Sequence, residues 1–321
     1  MPRFYIENFG CRATQADGAA LERQFLERGL ERAAAARDAE IVVLNTCTVT
    51  DGADKDARAS IRRLQRVNPD CRILVTGCYA QRAPEELAAL PGVSWVVGNS
   101  HKHQAAEIAT AAPSFSAAGS SSKTSGFVPL GQLFKPQAAG GQTDNQAANV
   151  IVGDIFAHTE LLAAPVFEAA NERTRPNLKV QDGCDNRCSF CVIPYVRGQS
   201  RSLASGRVIT EVRTLVEAGY REVVISGINL GRWGRDLPAV REASPKSLSP
   251  SSFLDAQGHT PQRVPDGERR RANSERRLVD LIRAILEQTS LEKLRISSVE
   301  PMDWSDELID LVASSPRIAK H

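Results

Sequence analysis

From the first residues to about position 110, short apolar runs alternate with longer stretches whose apolar residues recur at helical spacing. That alternation is the pattern of a parallel α/β sheet. Strands are expected at Arg3–Phe9, Glu40–Leu44, Arg72–Thr76 and Ser94–Val97. Helices are expected at Ala16–Gly29, from about Asp54 to Val67, from Pro84, and through His101–Ala111. Gly29 suits a helix C-cap, and Pro84 a first turn. From about Ala111 to Gln146 the periodicity gives way to Ala, Ser, Gly and Gln, with too little apolar content to order the segment. Val150–Phe156 and Leu161–Phe167 carry some apolar residues, but the whole stretch reads as a linker. At Leu178 the βα alternation returns. Strands are expected at Leu178–Val180, Glu222–Ser226 and Lys293–Ser297, and helices from an N-cap at Ser205 to about Ala218, at Arg277–Gln288 and at Trp304–Ser314. Asp236 to about Asn273 is rich in Pro, Ser and Arg and reads as a disordered insertion. The expected class is α/β: an open parallel domain over 1–111, a linker over 112–172, and a second βα domain over 173–321 with its insertion near 236–273.

A chain of 321 residues is long enough for two such cores. Forty basic residues against 38 acidic ones leave a net charge of +2, so gross charge selects no class of partner. Local charge says more. Between Arg173 and Arg241 there are twelve Arg or Lys against six Asp or Glu, which suits contact with phosphates. Arg58, Arg62 and Arg66 recur on one helix face, for which a solvated face is the commoner explanation. No apolar run reaches membrane-spanning length. The start, Met1-Pro2-Arg3-Phe4-Tyr5-Ile6, reads as a strand rather than a signal peptide. Seven cysteines in such a chain argue for reduced thiols, metal ligands or catalysis, and the cytoplasm is the expected compartment.

The cysteines carry the chemistry. Cys184, Cys188 and Cys191 stand at C-x3-C-x2-C spacing directly after an apolar run. Three thiolates leave one iron of a 4Fe–4S cluster without a protein ligand, open to a substrate, whereas four Cys close the cluster. A zinc knuckle also uses closely spaced Cys, but zinc takes a fourth Cys or His and the nearest His is His158. Cys11, Cys47 and Cys78 each follow one of the first three major strands. In an open parallel sheet those positions gather at one edge, where ligands sit. Singly, each reads as a small buried hydrophobe; together they read as a second three-Cys iron–sulfur site. Cys71 precedes the third strand, at the opposite edge, and reads as structural.

The run from Asp182 to Tyr195, with Phe190 as the aromatic of C-x3-C-x-aromatic-C, resembles the radical S-adenosylmethionine (SAM) enzymes. Asn8-Phe9-Gly10-Cys11, Asn45-Thr46-Cys47-Thr48-Val49-Thr50 and Thr76-Gly77-Cys78-Tyr79 are similar to the methylthiotransferases of that group. Cys47 to Asp51 and the cluster loop are most similar to the branch acting on threonylcarbamoyladenosine beside the tRNA anticodon, although Thr14 stands where that family usually has Asn. The resemblance implies two 4Fe–4S clusters, an auxiliary one on Cys11, Cys47 and Cys78 and a SAM-binding one on Cys184, Cys188 and Cys191, with a partial radical SAM (βα) barrel around the second. It implies SAM as cofactor, with Phe190 against its adenine. At the carboxyl end of a barrel strand, Gly227 would let the backbone approach SAM and Asn229 would bond its amino acid part; Ser226, beside them, is included in the site. Ser298 and Glu300 end the next strand and are candidates for the same site. No catalytic acid or base is singled out.

The reaction implied is methylthio transfer to C2 of the modified adenine in the tRNA anticodon loop, with electrons from an unidentified donor. Rival readings are the branches acting on isopentenyl-adenosine or on a ribosomal-protein aspartate, and a non-enzymatic iron–sulfur redox or sensor protein. Only 130 residues follow Cys191, room for roughly three βα units once the insertion is set aside. A C-terminally truncated barrel is therefore expected, open-edged and prone to aggregation beside Lys293–Ser297. Such a chain would bind clusters but cleave SAM feebly and modify no tRNA measurably.

Overall fold

The computed structural model describes residues 1–111, 148–157, 175–238 and 277–320. The first unit comprises β1 (Arg3–Asn8), α1 (Arg12–Glu27), β2 (Glu31–Arg32), β3 (Ile41–Thr46), α2 (Asp51–Val67) and β4 (Arg72–Gly77). It continues through α3 (Cys78–Arg82), α4 (Pro84–Ala88), β5 (Val93–Gly98), α5 (Ala105–Thr110) and β6 (Asn149–Ile151). The strands form one sheet in the order β2-β1-β3-β4-β5-β6, parallel at every pairing. β3 is buried at all six positions, as a central strand covered on both faces must be. Because successive side chains alternate faces, Val42 and Leu44 pack with Ile61 and Leu64 of α2, while Ile41 and Val43 pack with Leu21 and Phe25 of α1.

Three boundaries differ from the sequence reading. α1 opens at Arg12, four residues early, because Gly10 turns the chain at φ 96° and Cys11 takes the N-cap position without a capping side chain. The helix therefore lacks the Ser, Thr, Asp or Asn that marks a start in sequence. α2 opens at Asp51, capped by Thr50, whose hydroxyl accepts from Ala53 N at 3.2 Å. The stretch read as linker supplies β6, the last strand of the sheet, paired with β5. Residues 112–147 and 158–172 of that expected linker lie outside the described residues.

The second unit contains β7 (Asn177–Lys179), β8 (Gln181–Asp182), α6 (Ile193–Arg197), β9 (Arg201–Ser202), α7 (Ser205–Glu217) and β10 (Glu222–Ser226). It closes with α8 (Leu278–Gln288), β11 (Lys293–Ile296) and α9 (Asp306–Ser314). β11, β10 and β7 form a parallel sheet in that order, and β8 and β9 an antiparallel pair. Leu178, Val223, Ile225 and Leu294 from the strands pack on Val212 and Ile282 from the helices. This is part of a (βα) barrel. Ser205 is the first helical residue of α7, with Ala204 at the cap position, and α9 starts two residues late behind Ser305, whose hydroxyl accepts from Leu308 N at 3.2 Å.

The outer edge of β11 is not open, contrary to expectation. Leu294 N donates to Arg317 O, and Ala319 N donates to Leu294 O, both at 2.8 Å, making a parallel bridge with Ile318. Arg317 is fixed in place because its guanidinium donates to the carbonyls of Leu286, Thr289 and Leu291. At the start of the expected insertion, Asp236 accepts two 2.6 Å bonds from Ser202; residues 239–273 lie outside the described residues. No helix among the described residues is long and apolar enough to cross a membrane.

Candidate functional site

The loops leaving β1, β3 and β4 carry Cys11, Cys47 and Cys78 to the carboxyl edge of the first sheet, where open α/β sheets bind ligands. The loops touch. A Cβ added at Gly10 would lie 2.5 Å from Cys47 Cβ and 2.8 Å from its Sγ. Gly77, at φ 102°, turns the chain into α3 and sets Cys78 as its first residue. Cys47 and Cys78 are buried and Cys11 is exposed. Cys11 Sγ stands 3.6 Å from Thr14 Oγ1, and Asn99 Nδ2 donates toward Cys78 Sγ at 3.6 Å. Burial pushes the Cys47 thiol up, and the neighbouring Cys78 and Cys11 sulfurs push the same way. Burial also acts against ionisation of Cys11, but Arg197 and hydrogen bonds from Thr14 and Ala13 outweigh it and lower that thiol. Cys71 lies at the other end of β4, buried in the core.

The second set sits in the loop between β8 and α6. Gly183, at φ 71°, is held against the following turn; a Cβ there would come within 1.9 Å of Gln199 O. Cys184 N donates to Gly198 O at 3.1 Å, Asp185 Oδ1 accepts from Ser200 N at 2.9 Å, and Cys191 N donates to Cys188 O at 3.1 Å. Cys188 is exposed and the other two are half-buried. Ser226 and Asn229 follow at the carboxyl end of β10, and Asn229 Nδ2 reaches Cys184 Sγ at 3.5 Å. Both residues are buried, yet Ser226 Oγ and Asn229 Oδ1 have no hydrogen-bond partner among the described residues. Buried polar atoms are normally paired, so these two stand with unused hydrogen-bonding capacity beside the cysteine loop.

Phe190 is 91% exposed and anchors no loop. Ser298 and Glu300 lie exposed just past β11, at the same sheet edge as Ser226. Gln181 escaped the sequence reading. Its side chain is buried, accepts from Asn229 N at 2.7 Å and donates to Gly183 O at 2.8 Å, so it ties the cysteine loop to the β10 loop. Gly227 packs directly on it, a Cβ there lying 2.8 Å from Gln181 Oε1. An uncharged amide inside the run Lys179-Val180-Gln181-Asp182 was the only sign of this role.

The two cysteine edges adjoin through a buried set of charges. Asp17 of α1 accepts from Lys102 Nζ at 3.1 Å, from Arg197 Nη2 at 3.1 Å and from Lys179 Nζ. Asp182 accepts from Lys179 Nζ at 2.7 Å and Arg197 Nη1 at 2.9 Å. Burial alone would raise Asp17, but Lys102, Lys179 and Arg197 overcome it and hold the carboxyl at about 2. The basic helix face divides: Arg58 donates to the Tyr79 hydroxyl, whereas Arg62 and Arg66 are exposed. Among the described residues, no three His, Cys, Asp or Glu side chains are gathered as the ligands of one metal ion would be. The thiolates of a 4Fe–4S cluster each bind a different iron, so they stand wider apart than ligands of a zinc ion.

The family described as "Uncharacterized protein family UPF0004" matches residues 3–98. Over 98% of its length the chain is 32% identical to the threonylcarbamoyladenosine tRNA methylthiotransferase MtaB of Bacillus subtilis (strain 168) and 30% identical to that of Aquifex aeolicus (strain VF5). It is 26% identical, over all of its length, to the tRNA-2-methylthio-N(6)-dimethylallyladenosine synthase of Syntrophobacter fumaroxidans. It covers 55%, 60% and 57% of these proteins, so it spans little more than half the length of the curated relatives it matches. Among solved structures, the radical S-adenosylmethionine methyltransferase TsrM from Kitasatospora setae, with cobalamin and a 4Fe-4S cluster bound, shares the fold at a TM-score of 0.50 and 14% identity, over 98% of this chain and 59% of that one. Over nearly all of its length the chain is thus similar to proteins named as tRNA methylthiotransferases, and β1 to β5 of its first sheet fall within the residues that match UPF0004.

Proposed function

We propose that the protein is a radical SAM methylthiotransferase acting on tRNA, adding a methylthio group to C2 of threonylcarbamoyladenosine next to the anticodon. The observation that carries the reading is the pair of cysteine triads at adjoining sheet edges, each with an amide donor aimed at one sulfur: Asn99 at Cys78 and Asn229 at Cys184. Three sulfurs and no fourth ligand fit a cluster with an open iron. Cys184, Cys188 and Cys191 would hold the SAM-binding 4Fe–4S cluster, and Cys11, Cys47 and Cys78 an auxiliary one. Bound there, SAM and its cluster supply a one-electron cleavage whose radical removes hydrogen from an aromatic carbon beyond the reach of acid–base chemistry.

The chain's own residues bind and orient. Asn229 Oδ1 and Ser226 Oγ are free to take the amino acid part of SAM, and Gly227 between them would let the backbone approach SAM on the side away from Gln181, which fills the place of a Cβ. Phe190 presents an uncovered ring to the adenine, and Ser298 and Glu300 complete the rim beside β10. Gln181 fixes the distance between these loops. The basic surplus around the cluster loop suits an RNA backbone, and the target base reaches the site by leaving its stack in the anticodon loop. The electron donor is a separate partner. The threonylcarbamoyl branch is favoured because the relatives so named are 32% and 30% identical, against 26% for the dimethylallyl enzyme.

Mass spectrometry of tRNA nucleosides from cells with and without the gene tests this. Deletion should remove the 2-methylthio derivative of threonylcarbamoyladenosine and leave its unmodified precursor. Loss of the dimethylallyl derivative, or of a methylthio group on a ribosomal aspartate, would move the protein to another branch. Intact tRNA modification in the deletion strain would favour a redox or sensor protein.

A further inference from the structure

Five ionisable side chains meet in the interior where the two units join. Asp17 and Lys102 come from the first unit, and Lys179, Asp182 and Arg197 from the second; all are buried. Every pairing given above lies inside this set, so three cations face two carboxylates and one positive charge has no counterion within it. An uncompensated buried charge is strongly disfavoured, so the set calls for an anion beside it.

Arg197 shows where that anion belongs. Its side chain is 2% exposed, yet its Nε has no hydrogen-bond partner among the described residues. Buried guanidinium donors are rarely left unpaired. Its Nη2 lies 3.4 Å from Thr14 Oγ1, the hydroxyl that stands 3.6 Å from Cys11 Sγ. The carbonyl just before it, Val196 O, accepts from Asn99 Nδ2 at 2.7 Å, the amide that also approaches Cys78 Sγ. Arg197 and the carbonyl before it are thus joined through one side chain each, Thr14 and Asn99, to two cysteines of the first unit.

We infer that Arg197, carried by the second unit, is a positioning residue for the anionic iron–sulfur group held on Cys11, Cys47 and Cys78 of the first, balancing its charge and donating the Nε hydrogen to one of its sulfurs. This rests on the reading that those three cysteines hold a cluster. A positive charge and a hydrogen bond at a cluster both stabilise the reduced form, because reduction adds one negative charge; they raise its potential.

The test uses the full chain with Cys184, Cys188 and Cys191 replaced by Ala, reconstituted anaerobically so that only one cluster remains, and titrated with dithionite under electron paramagnetic resonance. One electron from dithionite turns one ferric site ferrous, and no bond is made or broken. Arg197→Gln should retain iron while its reduction equilibrium constant falls about tenfold, equivalent to about 59 mV more negative. Arg197→Lys should recover most of that loss, since the charge stays. Asp17→Asn should shift the potential the other way. A purely structural ion pair would change iron content or folding in all three and leave the potential of surviving cluster unchanged. A folded, iron-bearing Arg197→Gln with the parent's potential overturns the inference. If that variant does not fold, an unchanged or more negative potential in Asp17→Asn overturns it. A parent that binds no iron refutes the cluster reading itself, and the inference with it.

Discussion

Asp17 shows how one buried acid depends on residues far away in sequence. Its partners are 85 and 162 positions distant in Lys102 and Lys179, and 180 distant in Arg197. Nothing in the run Thr14-Gln15-Ala16-Asp17 marks it as buried, so sequence reading passed over it, as it did Gln181. The cysteines were legible because sulfur at strand ends carries meaning by itself; polar residues that meet only after folding do not. The carboxyl falls from 3.8 to about 2 on folding, so Asp17 contributes stability that is complete above its unfolded value and is lost as pH drops through about 2. That contribution is on the order of 2 kcal/mol. Urea unfolding of metal-free protein across this range, followed by circular dichroism, should show stability falling between about pH 4 and pH 2. Asp17→Asn should be less stable at pH 7 and show a shallower fall, with Asp182, also held low, supplying what remains. An identical pH slope in the variant would remove Asp17 from this account.

Strands and helices were readable where one period dominated. β3 and β10 are short β-branched runs, and α8 carries its apolar residues along one face. The misses fell where geometry replaced pattern: α1 begins behind a cysteine, α3 is a single turn between strand and helix, and β6 is three residues pairing across a gap of about 50 positions in sequence. The covered edge of β11 is the most consequential miss. Arg317 binds three carbonyls at the end of α8 and in the turn after it, which draws Ile318 alongside Leu294. Hydrogen bonds from a charged donor contribute about 1.5–3 kcal/mol each before coupling among them is allowed for. Arg317→Ala should therefore cost about 2–4 kcal/mol of stability, within the range for loss of a buried network, and free the edge for intermolecular pairing. Denaturant melts and light scattering at micromolar concentration would check both parts. A variant as stable and as monodisperse as the parent would mean that the edge is held by packing alone.

The two sheets are separate hydrophobic cores, yet what joins them is mostly polar. Asn177 Nδ2 donates to Arg12 O at 2.9 Å, Asn99 Nδ2 to Val196 O at 2.7 Å, and the five buried charges lie between. Gly198 packs on Ile155, in the segment that follows β6, so that segment braces the junction. Polar interfaces between domains usually permit relative motion, but a charge set that is buried and mutually paired is strongly coupled, because removing one member strands the others. The loops that carry the two cysteine triads meet at that junction: Arg197 bonds Asp17 and Asp182, and Gly198 O beside it accepts from Cys184 N. Holding two reactive groups in fixed register is the kind of work that a rigid joint does and a flexible linker cannot. The expected consequence is a single unfolding transition for the metal-free chain in calorimetry, despite two cores. Asp17→Ala, which leaves Lys179 and Arg197 only Asp182 as counterion and Lys102 only the Asn45 side-chain oxygen, should cost about 3–5 kcal/mol and split the transition in two as the cores uncouple. Two transitions in the unaltered chain would show the units to be independent, and one undivided transition in Asp17→Ala would locate their coupling in the hydrogen bonds around Asn99 and Asn177.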